Sequence, residues 1–153
     1  MRLEQESYDN AGLASFIAEN FIPLHVHVKE NPKNFRRFDA FWTPTVLILD
    51  PDAKERWRLE GYLPREEFQA FLEMGLARLA LSRKDWADAQ TRYNAVAENY
   101  PDSKFAAQAV YYRGVSRYSA SHDGADLGNT AAALAEKYPD SEWRLRSLPW
   151  DPK

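Results

Sequence analysis

His25 and His27 are the residues whose types and spacing point most directly to chemistry, because they are two positions apart. Side chains at positions i and i+2 of a β-strand point to the same face, so both imidazoles could bind one metal ion. Asp39 and His122 are conceivable further ligands, although nothing in the sequence places them beside the pair. Two half-buried strand histidines explain the same pattern. We therefore predict no metal site and no cofactor.

Asp50 and Asp52 could form a carboxylate pair for acid–base catalysis. They flank Pro51 in a stretch that is typical of a hairpin turn. Aspartate is common in such turns because its side chain accepts hydrogen bonds from nearby backbone amides. We therefore predict a structural role for both carboxylates.

Two short basic clusters, at positions 36–37 and at positions 56 and 58, could bind phosphate. Salt bridges on a solvated face explain them better. The net charge of the chain is −3, with −3 over residues 1–82 and zero over residues 83–153. Because a nucleic-acid-binding protein carries a basic footprint, we predict no nucleic-acid partner.

Cysteine is absent from the 153 residues. This chain therefore has no thiolate nucleophile, no disulfide and no cysteine-based metal site. Three histidines leave little from which to build a nucleophilic triad. The sequence also lacks the glycine-rich phosphate-binding motifs and the G-x-S-x-G and H-E-x-x-H motifs. We predict no catalytic residues for the chain as it stands.

The composition indicates a folded protein. Hydrophobic residues make up 44% of the sequence, and five Trp, eight Tyr and eight Phe supply large surfaces for burial. No apolar run approaches the roughly 20 residues that span a bilayer, and the polar start MRLEQESYDN has no signal-peptide hydrophobic region. We expect a cytoplasmic protein without membrane contact, or an envelope protein if a leader precedes Met1.

Patterning in the first half of the chain predicts a mixture of helices and strands. Helices are expected at 2–8, at 12–20 and at 31–41. Residues 21–28 alternate apolar side chains with the two histidines, which predicts a half-buried strand. Residues 45–60 predict a β-hairpin around an Asp-Pro-Asp-Ala turn.

The second half predicts helix throughout. The helices are expected at 64–82, 86–99, 104–119 and 125–138. An internal repeat accompanies them, because AVAENYPDS at 95–103 returns as ALAEKYPDS 38 residues later, with seven of the nine positions identical. A period of this length is typical of stacked helix pairs that bury their faces against one another.

These repeats resemble tetratricopeptide (TPR) repeats. Ala89, Tyr93 and Pro101 lie at the spacing of that family's small, aromatic and proline positions, and Tyr138-Pro139 closes a second unit. The other tyrosines of this half are expected to pack between helices. The resemblance implies a surface that binds protein or peptide partners.

Residues 1–80 resemble the thioredoxin superfamily, over the text FIAENFIPLHVHVKENPKNFRRFDAFWTPTVLILDPDAKERWRLEGYLPREEFQAFL. The Thr43-Pro44-Thr45 segment matches that family's cis-proline loop. The resemblance implies that Thr43 pairs through its backbone with an extended peptide, so we assign the candidate binding site to Trp42, Thr43, Pro44 and Thr45. Trp42 either anchors a bound peptide or caps the core, and the sequence leaves both interpretations open.

The chain departs from this family in two places. Ala53 stands where the family's hairpin turn has glycine, which strains the turn if φ is positive there. The family's first core strand and CxxC motif come immediately before a segment like the one that begins at Met1, so the resemblance implies that both are missing here. That strand would lie between residues 22–28 and 44–50. The two flanking strands could pair directly, another chain could fill the place, or the helical half could repack over it.

The fold class we predict is α+β. A thioredoxin-like domain, incomplete at its N-terminus, is expected over residues 1–82, and an all-α TPR-like extension over residues 83–153. The first functional hypothesis is a non-catalytic interaction module that binds an extended peptide or partner protein and forms a homodimer through its open sheet edge. The second is a truncated thiol–disulfide oxidoreductase whose CxxC motif lies upstream of Met1 and whose TPR tail recruits clients.

Overall fold

The computed structural model describes residues 11–152, so the helix expected at 2–8 lies outside the described residues. In this part of the chain the only sheet is an antiparallel hairpin of β1 (Thr45–Leu49) and β2 (Glu55–Glu60). Ile48 and Leu59 are its buried side chains. The hairpin predicted from the sequence is confirmed.

Asp50 organises the hairpin turn. Its Oδ1 accepts hydrogen bonds from the backbone N–H groups of Asp52 (3.0 Å) and Lys54 (2.9 Å), and its Oδ2 accepts one from Nε of Arg56 at 2.8 Å. The hydrogen bond from Lys54, together with the Arg56 guanidinium, lowers the pKa of Asp50 below its ordinary value of 3.8. Asp50 therefore has the structural role that the sequence predicts.

Replacing Asp50 with asparagine should destabilise the protein at neutral pH and much less in acid. Because the folded-state pKa is lowered, the carboxylate stabilises the fold above its unfolded-state pKa, and this contribution is lost as the pH falls through the folded-state pKa. Urea unfolding at about pH 7 and about pH 2.5 should show the difference in midpoint shrinking in acid. Asp52→Asn is the control, because Asp52 lies exposed in the same turn. An equal pH dependence in both variants would contradict the account.

Ala53 adopts a left-handed backbone conformation in this turn, with a φ of 57°. A residue with a Cβ pays about 1–2 kcal/mol there, whereas glycine does not. Ala53→Gly should therefore raise the free energy of unfolding by about 0.5–1 kcal/mol in urea denaturation. The same replacement at the exposed helical Ala135 should lower it by about 1 kcal/mol. A loss of stability in Ala53→Gly would show that the turn is not strained.

Residues 21–28 do not form the predicted strand, and this prediction is wrong. Residues 21–27 have no regular secondary structure, and a turn follows at 28–30. Direct pairing of 22–28 with β1, one of the three arrangements considered, is therefore not formed either. Alternating side chains make a strand only where a neighbouring strand satisfies the backbone amides and carbonyls, and within residues 11–152 no neighbour does so here.

Residue contacts divide the chain into two units. One unit includes the residues up to Leu47 and Arg58–Arg65, and the other includes Ile48–Trp57 and the residues from Glu66 onward. The two ends of the hairpin therefore belong to different units.

Two helices belong to the first unit. Helix α1 (Ala11–Asn20) buries Leu13 and Ile17, which lie four residues apart on one face. Helix α2 (Pro32–Arg37) has proline at its first position, where the missing N–H costs nothing. It ends at Arg37, earlier than the run from residue 31 to Phe41 suggested, because the backbone of Asp39 turns to a φ of 50°.

The rest of the chain is helical. The elements are α3 (Arg65–Ser82), α4 (Trp86–Asn99), α5 (Ala106–Ser121), α6 (Gly124–Lys137), α7 (Glu142–Ser147) and a 3-10 turn (Leu148–Trp150). The predicted helices are confirmed within two residues at each end. Helix α7 and the 3-10 turn were not predicted, because six residues before a proline carry little periodicity. None of the helices in residues 11–152 is both long and apolar enough to cross a bilayer.

The sequence repeat is also a repeat in the structure. Helices α4 and α6 have 14 residues each and begin 38 residues apart. Asp85 and Asp123, also 38 residues apart, cap them through side chains that accept a backbone N–H of the first turn. The hydroxyl of Tyr138 donates to the carbonyl of Pro101 at 3.1 Å, so the two Tyr-Pro-Asp-Ser junctions contact each other.

Aromatic rings fill the space between the repeat helices. Tyr93 is 1% exposed and stacks on Tyr112 with ring centroids 5.8 Å apart. Burial raises the pKa of Tyr93. Trp143 packs against Tyr112 at 5.4 Å. The tyrosines thus pack between helices as predicted, except Tyr118, which is exposed.

Candidate functional site

The loop between α2 and β1 contains the four predicted site residues, and one arginine holds its first half. The Arg58 guanidinium donates to the backbone carbonyls of Phe38, at 2.5 Å, and Asp39, at 3.4 Å. Arg58 also forms an ion pair with Glu60 at 3.1 Å. Because Arg58 and Glu60 lie on β2, the start of the loop is tied to the hairpin.

Two hydrogen bonds define the second half of the loop. The carbonyl of Pro44 accepts the N–H of Gly61 at 2.8 Å, and the hydroxyl of Thr45 donates to the carbonyl of Trp42 at 2.7 Å. The Thr43–Pro44 peptide bond is cis. The backbone of the loop is therefore held at both ends by the first unit.

Phe41 and Trp42 project from this loop into solvent. Phe41 is 76% exposed and Trp42 is 64% exposed. Large aromatic side chains are rarely left this open without a partner, since each loses a large hydrophobic contribution by remaining hydrated. Trp42 therefore does not cap the core, which was one of the two interpretations that the sequence left open.

An open groove of about 610 Å³ lies beside these rings. Its lining includes Val28, Phe35, Arg36, Phe41, Trp42 and Thr43. Most of the lining side chains are apolar, and the exposed Arg36 provides a positive charge. Within residues 11–152, Arg36 has no ion-pair partner.

Thr43 adds unused backbone groups to the groove. It is exposed, and no described residue hydrogen-bonds to its backbone N–H or C=O. A free donor and acceptor beside an apolar groove match what an extended peptide presents, because its backbone needs partners while its side chains enter pockets. No carboxylate, imidazole or thiol is among the described residues that line the groove.

The segment before the groove is also exposed. Ile22 is 97% exposed and Leu24 is 82% exposed, although both are aliphatic. Val28, at the end of the segment, is part of the groove lining. The first unit therefore exposes apolar side chains both in this segment and at the groove.

The histidines do not form a metal site with described residues. His25 and His27 are both exposed, and Nδ1 of His27 accepts the backbone N–H of Lys29 at 3.3 Å. In the part of the chain that the structure describes, no three histidine and carboxylate side chains are grouped so that they could hold an ion. Asp39, one of the conceivable ligands, is exposed, and its backbone carbonyl accepts a hydrogen bond from Arg58 at 3.4 Å.

The structure separates the four predicted site residues into two pairs. Trp42 and Thr43 line the groove, whereas Pro44 is half-buried and Thr45 begins β1. Pro44 and Thr45 thus contribute to the shape of the loop through their hydrogen bonds.

Sequence reasoning missed six of the eight groove residues, among them Phe35, Arg36 and Phe41. The sequence analysis did not assign the two phenylalanines to the site, and it placed Arg36 on a solvated face. The adjacent aromatics of Phe41 and Trp42 were the available signal, because two consecutive large rings cannot both enter one core. No sequence pattern distinguishes an arginine on a groove from one on a plain surface.

Comparison with known families agrees with this architecture. Residues 1–75 match a family model described as a thioredoxin-like domain, and residues 69–103 match one described as a tetratricopeptide repeat. The chain carries a thioredoxin-like domain followed by a TPR. The two matches overlap over residues 69–75, which lie within α3. Searches of curated proteins and of solved structures returned no match.

Proposed function

We propose that this protein is a non-catalytic interaction module whose thioredoxin-like domain binds an extended peptide segment of a partner protein. The observation that carries the proposal is the pair of exposed aromatic rings, Phe41 and Trp42, beside an open groove. Trp and Tyr anchors in pockets dominate the binding energy of many protein interfaces. On this proposal Trp42, Thr43, Pro44 and Thr45 form the binding loop, in a domain that extends over residues 1–82.

The backbone of Thr43 supplies the second part of the argument. Its N–H and C=O point to no described partner, so a bound strand-like segment can pair with them without displacing an existing hydrogen bond. Main-chain pairing of this kind supplies affinity, and side-chain pockets supply specificity. The groove offers one such pocket between Phe35 and Trp42.

Charge around the groove indicates an acidic ligand. Arg36 lines it, and residues 29–39 carry four basic and two acidic side chains, a net charge of +2. This local excess of positive charge contrasts with the net charge of −3 of the whole chain. A peptide with a hydrophobic side chain for the pocket and a neighbouring Asp or Glu therefore fits best.

The helical half supports a protein partner as well. TPR repeats generally mediate protein–protein interaction, and stacked repeats present extended concave surfaces. We assign residues 83–153 to this repeat region and expect it to contribute a second contact with the same partner.

A selection from a randomised peptide library tests the proposal. Phage displaying peptides of about 12 residues would be selected on the full 153-residue chain, and enriched peptides would be titrated by fluorescence anisotropy. We expect enriched peptides to combine an aromatic or aliphatic residue with Asp or Glu, and their affinity to fall with added salt. A selection without enrichment would contradict the proposed groove. Enriched peptides that bind the Arg36→Gln variant as tightly as the wild type would contradict it as well.

We also propose homodimerisation through the exposed segment at 22–28. Ile22 and Leu24 are open to solvent, and on this proposal the segments of two copies pair with each other as strands. Light scattering at high micromolar concentration should detect a dimer that Leu24→Lys converts to a monomer. A wild-type monomer at that concentration would remove this part of the proposal.

A thiol–disulfide oxidoreductase is the second candidate. Two observations favour a domain that contains one more strand. Residues 1–75 match a thioredoxin-like family model, and the exposed residues of 22–28 have no β partner among the described residues. The 153 residues hold no cysteine, so this function requires thiols from residues outside them. The test is the intact mass of the protein made from its own locus, together with a count of its alkylatable thiols. A mass of 17.7 kDa without thiols contradicts this candidate, and a heavier product with two thiols supports it.

A further inference from the structure

We propose that Arg58 is a positioning residue of the groove, because it completes the end of helix α2 and so sets the direction in which Phe41 and Trp42 leave that helix. Its role rests on the peptide-binding function proposed for the groove. Arg58 lies on β2 and is not among the residues that line the groove. It therefore acts on a bound peptide through the backbone of the loop.

Two backbone hydrogen bonds close the end of α2. The N–H of Ala40 donates to the carbonyl of Phe35 at 2.9 Å, and the N–H of Asp39 donates to the carbonyl of Arg36 at 3.2 Å. This pair of hydrogen bonds is the Schellman motif, in which the first residue after the cap has a left-handed backbone conformation. Asp39 occupies that position, with a φ of 50°.

Asp39 is not the residue type that such a turn prefers. Glycine is usual at the left-handed position because it has no Cβ, whereas a residue with a side chain is strained there. The strain favours opening of the turn and a different direction for the chain that follows. The turn therefore depends on support from outside the helix.

Arg58 supplies that support. The end of a helix leaves its last carbonyls without intrahelical partners, and the guanidinium donates to the carbonyls of Phe38 at 2.5 Å and Asp39 at 3.4 Å. The ion pair with Glu60, at 3.1 Å, holds the guanidinium on β2. Because the Arg58 side chain is only 25% exposed, water competes weakly for these hydrogen bonds. A cation at the C-terminus of a helix also stabilises its dipole.

The binding residues follow this turn directly. Residues 40–43 come next in the chain, and all four line the groove. The other end of the loop is held by the residue after β2, because the N–H of Gly61 donates to the carbonyl of Pro44 at 2.8 Å. All of these residues belong to the first unit. A peptide therefore meets aromatic rings that residues 58–61 already hold in place, which lowers the entropy lost on binding.

Replacement of Arg58 tests the proposal. Fluorescence anisotropy would measure the affinity of each variant for the tightest peptide from the library selection. We expect Arg58→Gln to bind about tenfold more weakly than the wild type, because hydrogen bonds from a charged group are lost. Arg58→Lys should lie between the two, since lysine keeps the charge but lacks the planar fork. Arg56→Gln is the matched control, because Arg56 lies on the same strand and bonds Asp50 instead, so its affinity should equal that of the wild type.

Asp39→Gly separates positioning from overall stability. Glycine adopts the left-handed conformation without a Cβ, so the turn needs less support from Arg58. The double variant Arg58→Gln/Asp39→Gly should therefore bind at least about threefold more tightly than Arg58→Gln. Circular dichroism would give the thermal unfolding midpoint of each variant, and the affinities would be measured well below all of them, so that loss of folded protein does not enter.

Two binding results would overturn the proposal: wild-type affinity in Arg58→Gln, and a double variant that binds no better than Arg58→Gln. If the groove itself is wrong, the wild type binds no selected peptide, and amide hydrogen exchange of Ala40 in the free protein then decides the role of Arg58. Exchange should be faster in Arg58→Gln than in the wild type and in Arg56→Gln. Equal exchange in all three would overturn the proposal as well.

Discussion

Replacing Phe71 with alanine should lower the free energy of unfolding by about 4 kcal/mol. Phe71 lies on α3, is 1% exposed, and stacks on Phe68 with centroids 6.0 Å apart. Its ring also contacts Trp57 of β2 at 6.1 Å and Phe105 at 6.2 Å. Truncation removes the transfer free energy of the ring and leaves a cavity among three aromatic neighbours.

Phe41→Ala is the matched control for this experiment. The same side chain is removed from a position that is 76% exposed, so the free energy of unfolding should change by no more than about 0.5 kcal/mol. Urea denaturation followed by circular dichroism measures both variants. A loss below about 1 kcal/mol in Phe71→Ala would show that the second unit is not organised around this aromatic cluster.

Replacing Trp42 with alanine should weaken binding of a selected acidic peptide by about 30-fold or more. A central aromatic anchor contributes about 2 kcal/mol or more to binding, and 1.4 kcal/mol corresponds to a factor of ten. Because Trp42 is 64% exposed in the free protein, its removal should leave the thermal unfolding midpoint nearly unchanged. Affinity and stability should therefore separate in this variant.

Tyr118→Ala controls for the loss of an exposed aromatic ring outside the groove. Tyr118 lies on α5 in the second unit and is 41% exposed. Fluorescence anisotropy should give the wild-type affinity for this variant and the weakened affinity for Trp42→Ala. Equal affinities for the two variants would place the peptide away from the loop.

The sequence predicts the helical half of the fold most accurately. Helix α4 begins at Trp86 and ends at Asn99, as its 3.6-residue periodicity and its Asp85 cap indicate. These signals depend only on residues close together in the sequence, so they predict the helix without knowledge of its neighbours in space. The repeat at 95–103 and 133–141 adds the stacking order of the helices without any structural information.

The strand predicted at 21–28 failed for a physical reason that patterning cannot supply. Alternation describes which side chains would share a face, but the hydrogen-bonding partner of a strand is distant in sequence. Where no described strand lies alongside, the same residues remain irregular and Leu24 stays in solvent. The hairpin at 45–60 succeeded because its two strands are neighbours in sequence and joined by the Asp50 turn.

The candidate site was predicted in part, and mainly through resemblance. Thr43, Pro44 and Thr45 match a family loop, and Trp42 is adjacent to it. The contribution of Arg36 required the structure, because only the fold brings α2 against the loop that carries Trp42. The sequence also does not show which aromatic residues are exposed. Trp42 and Phe71 are both large aromatic side chains, yet Trp42 is exposed and Phe71 is buried.

Amide chemical shifts test the central claim most directly. A uniformly ¹⁵N-labelled sample of the 153-residue chain would be titrated with the tightest peptide from the library selection. The account predicts that the largest shifts map to residues 28–45 and include the amide of Thr43, with a saturation curve that Trp42→Ala displaces to higher peptide concentration. Shifts confined to the helices after residue 83, with Thr43 unmoved, would contradict it.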